Sequence, residues 1–241
     1  MLIDANREFA DYVELIYRQQ KGERVHCFEY KGNKYWLKQP EHPRGIERLL
    51  KARPKQLFQD ELRILLYLEN KRAPVPRLLV ATDHYFVLED AGETLNHLLP
   101  IKSAVEKQQI LQDVVIALTN LHKMDLVHGR PAIRDIAWDN GIVRFIDFEN
   151  HAHTRDLTWK KMRDILVFMH SLCRTKDLTD KDILSTIRTL EKTCETRVWT
   201  KSRQFLMANS WLYYLLLPFK VVAGTDLLAF YRLFECVRGT K

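Results

Sequence analysis

Apolar positions along the chain change period several times, and each change predicts a new element. Leu2, Phe9, Val13 and Ile16 recur at about helical spacing, which predicts an amphipathic helix over residues 2–18. Two short aromatic and β-branched runs follow, Val25 to Tyr30 and Lys34 to Lys38. Lys31-Gly32-Asn33 between them permits a tight turn, so they read as a hairpin. Phe58, Leu62, Leu65, Leu66 and Leu68 form an apolar helical face over residues 58–68, and Ala73-Pro74-Val75-Pro76 stops that helix because proline lacks the donor and restricts its predecessor. Residues 85–88 predict a strand and residues 89–92 a connector. A long helix is expected over 104–122, a hairpin ends at Asp147, and helices follow near 161–171, 180–194, 202–217 and 227–236.

Composition narrows what such a chain can be. With 241 residues, 46% hydrophobic and 10% aromatic, there is enough apolar side chain to offset the entropy of ordering, which excludes disorder and leaves one domain or two intimate lobes. The net charge of +7 favours an anionic partner: a nucleotide, a nucleic acid, a phosphorylated sugar or a lipid surface. Cys27, Cys173, Cys194 and Cys236 are dispersed and form no CxxC pair, so core thiols in a reducing, cytoplasmic setting are expected. The apolar run from Trp211 to Phe219 is too short to span a bilayer and contains Pro218. A buried C-terminal helix is the expectation there, with peripheral membrane contact as its alternative.

The chemistry concentrates in VHGRPAIRDIAWDNGIVRFIDFE, residues 127–149. Taken in order with Lys38 in YWLK, Glu61 in QDELRILLYLE and Glu89-Asp90-Ala91-Gly92, it resembles the protein-kinase-like superfamily from about residue 25 to 172. The likeness is to compact bacterial lipopolysaccharide-core sugar kinases and the RIO-like lineage. That resemblance implies an α+β, two-lobed fold: a small sheet-containing N-terminal lobe over residues 1–88, a hinge at 89–92 and a larger helical C-terminal lobe over 93–241.

The same resemblance implies site roles with ATP and Mg²⁺ as cofactors. Lys38 contacts nucleotide phosphates, Glu61 fixes its direction, and Glu89 and Ala91 at the hinge receive the adenine edge through their backbone. His128 takes the position before the usual catalytic acid and Arg130 the position of that acid. Asp135 falls where an asparagine usually coordinates the second metal, and Asp147 in DFE resembles the metal-binding aspartate of DFG. Asp164, in KKMRDILVF, resembles an aspartate at a helix start that braces the catalytic loop, with a simple N-cap as the alternative.

Two departures stand out. No G-x-G-x-x-G loop precedes Lys38, since Gly22 and Gly32 do not form one. Arg130 cannot accept a substrate proton because its guanidinium stays protonated, although it can clamp a phosphate or pair with an acid. A second register, pairing Arg134-Asp135 with Asn140, would restore an acid. It leaves too few residues before Asp147 for a strand, a turn and a returning strand. The first register instead makes residues 136–138 a strand, Asp139-Asn140-Gly141 the turn and residues 142–146 the return, and it is preferred. Asp125, Asp139 and Glu149 are candidate replacement acids, each with a structural role as the plainer reading.

The expected function is an ATP- and Mg²⁺-dependent kinase-like phosphotransferase acting on a protein hydroxyl or a phosphorylated sugar. The alternative is a noncatalytic nucleotide-binding pseudokinase that serves as a protein-interaction or regulatory module. A nucleic-acid-binding role for the basic stretch over residues 44–55 is the third reading.

Overall fold

A computed structural model describes residues 7–40, 54–148 and 156–238. Leu2, the basic stretch over residues 44–53 and Glu149 lie outside the described residues. The fold is α+β: a small antiparallel sheet region and a mostly helical remainder. The chain divides into two compact units, Met1–Ala91 and Gly92–Lys241.

The first unit contains α1 (Arg7–Gln19), β1 (Val25–Tyr30), β2 (Asn33–Lys38), α2 (Pro54–Asn70), β3 (Leu78–Ala81) and β4 (Phe86–Glu89). Its antiparallel sheet runs β1-β2-β4-β3. Both residues of the β1–β2 turn, Lys31 and Gly32, have positive φ (50° and 80°), and Asn33 belongs to β2 rather than to the predicted three-residue turn. Because side chains alternate across a strand, the sheet has two apolar faces. Leu37, Val87 and Val80 pack with Phe9 and Val13 of α1, whereas Phe86, Leu88 and Leu78 pack with Phe58 and Leu65 of α2. β3 is absent from the sequence-based expectation: its four residues are all buried and carry no alternation to mark a strand.

The second unit opens with β5 (Glu93–Thr94), α3 (Leu95–Ile101) and α4 (Ala104–Lys123), followed by a 3₁₀ turn (Ile133–Asp135), β6 (Ile136–Asp139) and β7 (Ile142–Phe145). The helices α5 (Leu157–Arg174), α6 (Asp180–Thr193), α7 (Thr196–Ala208), α8 (Trp211–Leu216) and α9 (Thr225–Arg238) complete it, with a second 3₁₀ segment (Leu217–Val222) between the last two. Ser103 and Glu106 close a capping box at the start of α4, and Thr179 and Asp182 do the same for α6. Helix α4 packs on α6, and α5 packs on α7 and α9.

The three-stranded sheet β5-β6-β7 follows the preferred register. Asn140 and Gly141 turn the β6–β7 hairpin with φ of 46° and 88°, the left-handed pair that a two-residue turn of this kind requires. Asn140 therefore sits at a hairpin tip, its amide on Asp139, and the competing register is lost. At Gly92 (φ 93°) an added Cβ would lie 3.1 Å from the Asp139 Cβ, so glycine lets the chain pass this hairpin.

The expected helix over residues 202–217 is broken. Helix α7 ends at Ala208 and the chain bends by 42° into the segment from Trp211 to Val222. No residue of α8 or of the 3₁₀ segment after it is buried, which overturns the expectation of a buried C-terminal helix there. Among the described residues no single helix is long and apolar enough to cross a membrane.

Candidate functional site

In the first unit, strand alternation decides where Lys38 points. Leu37 is buried against α1, so its neighbour Lys38 faces α2. On α2, Glu61 lies in the same i, i+3, i+4, i+7 stripe as Phe58, Leu62 and Leu65. The two meet: the Lys38 Nζ donates to Glu61 Oε1 at 2.8 Å, with both side chains largely covered. At the end of β4, the Glu89 N–H donates to the Arg77 carbonyl and the Asp90 N–H to that of Lys34. Asp90 also accepts from the Trp36 indole at 2.6 Å, and Ala91 is buried.

In the second unit, residues 126–135 are fixed from below by α5. Asp164 is buried, with Oδ2 accepting from the His128 N–H (2.8 Å) and Oδ1 from the Gly129 N–H (2.9 Å). His122, on the apolar stripe of α4, places Nε2 at 3.1 Å from Asp164 Oδ2. Arg163 donates to the Gly129 carbonyl, and Ser171, two turns beyond Asp164 on the same face of α5, accepts from the Ile133 N–H at 3.0 Å. Asp164 therefore braces the loop from inside a helix. It is neither at a helix start nor an N-cap, the cap of α5 being Asp156.

His128 is buried, stacked on Phe148 with ring centroids 4.6 Å apart. Its Nδ1 faces the Arg130 N–H at 3.3 Å, so Nδ1 accepts and Nε2 carries the proton that it donates to the Ile146 carbonyl at 3.0 Å. Burial lowers its pKa despite the nearby Asp164, which favours this neutral form. A ring with both nitrogens engaged organises the loop.

Arg130 and Asp135 come together. Asp135 is buried, with the Arg130 Nη2 3.7 Å from its Oδ2 and the Arg134 Nε 3.6 Å from its Oδ1. Its carbonyl accepts from the Ile146 N–H at 2.9 Å, which ties the 3₁₀ turn to the chain just before Asp147. Asp147 is exposed and holds a positive φ of 55°, a conformation that side-chain-bearing residues seldom adopt and that recurs at functional sites.

No family model matches the chain. A protein of Haemophilus influenzae, described as an uncharacterized protein, is 47% identical to it over 232 residues, covering 95% of this chain and 96% of the relative. The chain belongs to that protein's family.

For this member of the family, the structure joins Lys38 to Glu61 and sets His128, Arg130 and Asp135 on one braced loop that leads to Asp147. Among the candidate replacement acids, Asp125 is bound to the Lys161 ammonium at 2.8 Å and Asp139 to the Asn140 amide at 2.9 Å. Both therefore have structural partners. Sequence reasoning missed His122, Arg163 and Lys161. Lys161 is nearly fully buried between Asp125 and Glu195 (2.6 Å); burial pulls its pKa down, but the two carboxylates outweigh that and hold it above its ordinary value. His122 and Lys161 both interrupt apolar helical stripes, a readable signal of a buried polar group awaiting its partner.

Proposed function

We propose that the chain is a kinase-like phosphotransferase of the two-lobed kind, using ATP and Mg²⁺ to phosphorylate a protein hydroxyl or a phosphorylated sugar. The observation that carries this reading is the 2.8 Å pair between Lys38 and Glu61, a lysine on a strand held by a helical glutamate behind it. Lys38 supplies positive charge to nucleotide phosphates, and Glu61 holds the long side chain in one direction so that less freedom is lost on binding. Glu89 and Ala91 are the backbone positions for the adenine edge.

Asp135 and Asp147 are the residues that would hold the metal. Among the described residues no group of three or more His, Cys, Asp or Glu gathers to cage an ion. Two carboxylates fit Mg²⁺, which is commonly held by one or two of them with phosphate and water completing the shell. When bound, Mg²⁺ neutralises charge on the phosphate oxygens. Asp164 and the neutral His128 fix the loop backbone that presents Asp135. Arg130 adds positive charge beside Asp135 and accepts no proton; positioning and electrostatics dominate a loose phosphoryl-transfer transition state, so the missing acid lowers the rate without removing the chemistry.

A second reading, a noncatalytic nucleotide-binding module, is favoured by one observation: the guanidinium at the acid position already faces the buried Asp135 carboxylate. The first test is a structure with Mg²⁺ and a nonhydrolysable ATP analogue. The expected result is a phosphate oxygen on Lys38 and the metal on the Asp147 carboxylate; a nucleotide bound elsewhere, or none bound, overturns the proposal.

A further inference from the structure

The segment from Trp211 to Val222 is among the most apolar stretches in the chain, and one face of it is left open. Within α8, Leu212, Tyr213 and Leu216 are half-buried, while Trp211, Tyr214 and Leu215 are exposed, the spacing of two opposite helical faces. The inner face is tied to α9. Tyr231 donates to the Leu216 carbonyl, Tyr213 donates to Glu235 at 3.0 Å, and Arg238 lies 4.6 Å from the Tyr213 ring centroid. The outer face continues through Phe219 to Val221 and Val222, which are 95% and 80% exposed. Isolated apolar side chains on a surface need no explanation, but a contiguous aromatic and aliphatic face on an anchored element marks a contact site.

Charge selects the occupant. Between Glu195 and Asp226 the chain carries no carboxylate, and it carries Arg197, Lys201, Arg203 and Lys220. The flanking acids of α9 are already neutralised, Asp226 by Arg174 and Glu235 by Lys220, each at 3.0 Å. Arg203 lines a cavity with Glu191, whereas Arg197 and Lys201, four residues apart on one face of α7, leave a positive surplus in the helix that precedes the apolar face. Trp211 and Tyr214 on the outer face are the amphipathic aromatic types that settle at a membrane–water boundary. Thr196–Ala208 and Trp211–Val222 are together long and apolar enough for a broken span but are bent by 42°, and among the described residues no single helix is long and apolar enough to cross a membrane.

We propose that the outer face of residues 211–222 docks on an anionic phospholipid surface: Trp211, Tyr214, Leu215, Phe219, Val221 and Val222 enter the headgroup–acyl boundary and the α7 bases meet lipid phosphates. This rests on the C-terminal helices alone and stands or falls separately from nucleotide binding.

The test is co-sedimentation of the full-length protein with vesicles of phosphatidylcholine alone and of phosphatidylcholine mixed with phosphatidylglycerol. The expected result is binding to the mixed vesicles that weakens as salt is raised, since screening shortens the reach of surface charge. The double variant Val221→Asp/Val222→Asp should bind at least about tenfold more weakly, because burying even one valine is worth about a factor of ten. Both side chains are exposed, so its thermal melt should match the parent's. Arg197→Glu/Lys201→Glu, on one face of α7, should lose the preference for phosphatidylglycerol. Failure to bind mixed vesicles at low salt, or equal binding by the Val221/Val222 variant, overturns the proposal. So does a concentration-dependent dimer in sedimentation velocity that the same variant abolishes, which would assign the face to a second copy of the chain.

Discussion

Asp164 and Asp135 are both buried carboxylates of the second unit, and their surroundings differ in kind. Asp164 meets two backbone amides and His122, all at 3.1 Å or less. Asp135 faces two guanidinium groups at 3.6 and 3.7 Å, on side chains that reach solvent. Short bonds to backbone amides make a carboxylate part of the framework, because removing it strands buried donors. Looser ion pairs to partly exposed side chains can be exchanged for another cation at lower cost. Helix α5 holds the loop backbone through Asp164 at His128 and Gly129 and through Ser171 at Ile133, and the charged side chains of Arg130, Arg134 and Asp135 stand on that backbone.

The largest expected effect breaks the framework half of that contrast. Asp164→Ala should lower unfolding free energy by about 3–5 kcal/mol in urea denaturation, since the His128 and Gly129 amides lose their acceptor in a dry environment; a loss under about 1 kcal/mol would remove the distinction. Next, Lys38→Met should weaken Mg²⁺-dependent ATP binding in calorimetry at least about tenfold while stability shifts by about 1 kcal/mol or less, the scale of a partly exposed ion pair. Asp135→Asn keeps the side-chain shape and should also change stability by about 1 kcal/mol or less, yet remove the Mg²⁺ dependence of nucleotide binding. The smallest effect is on pH dependence. Burial holds the His128 pKa below its ordinary 6.5, so the unfolded chain takes up the proton first. His128 therefore contributes stability in full above pH 6.5 and loses it as pH falls through the folded value. Denaturation midpoints measured across that window should fall with acid for the parent and flatten in His128→Gln.

Much of this was legible wherever a local rule and the tertiary arrangement agree. Asn140-Gly141 set a two-residue turn, and that turn fixed the register of the β6–β7 hairpin and thereby the place of Asp147. The stripe of Phe58, Leu62 and Leu65 already held Glu61, while its pairing with Lys38 came only from the kinase-like resemblance; the structure brings the two together. β3 and α3 escaped because β3 is apolar throughout and α3 is only seven residues long, with Pro100 inside it. Asp164 resembled a brace, but the sequence gives no sign that it lies mid-helix with His122 opposite. The Trp211 segment was misread for a physical reason: composition measures how apolar a stretch is and cannot tell a core helix from an exposed one.

The most direct test of the central proposal is calorimetric titration of ATP into the full chain with and without Mg²⁺, paired with quantified phosphate release and with Asp147→Ala as the control. The expected result is saturable, Mg²⁺-dependent binding and release above the control. Saturable binding with release no greater than that of Asp147→Ala would contradict the transferase reading in favour of a nucleotide-binding module, and no saturable binding at all would contradict both.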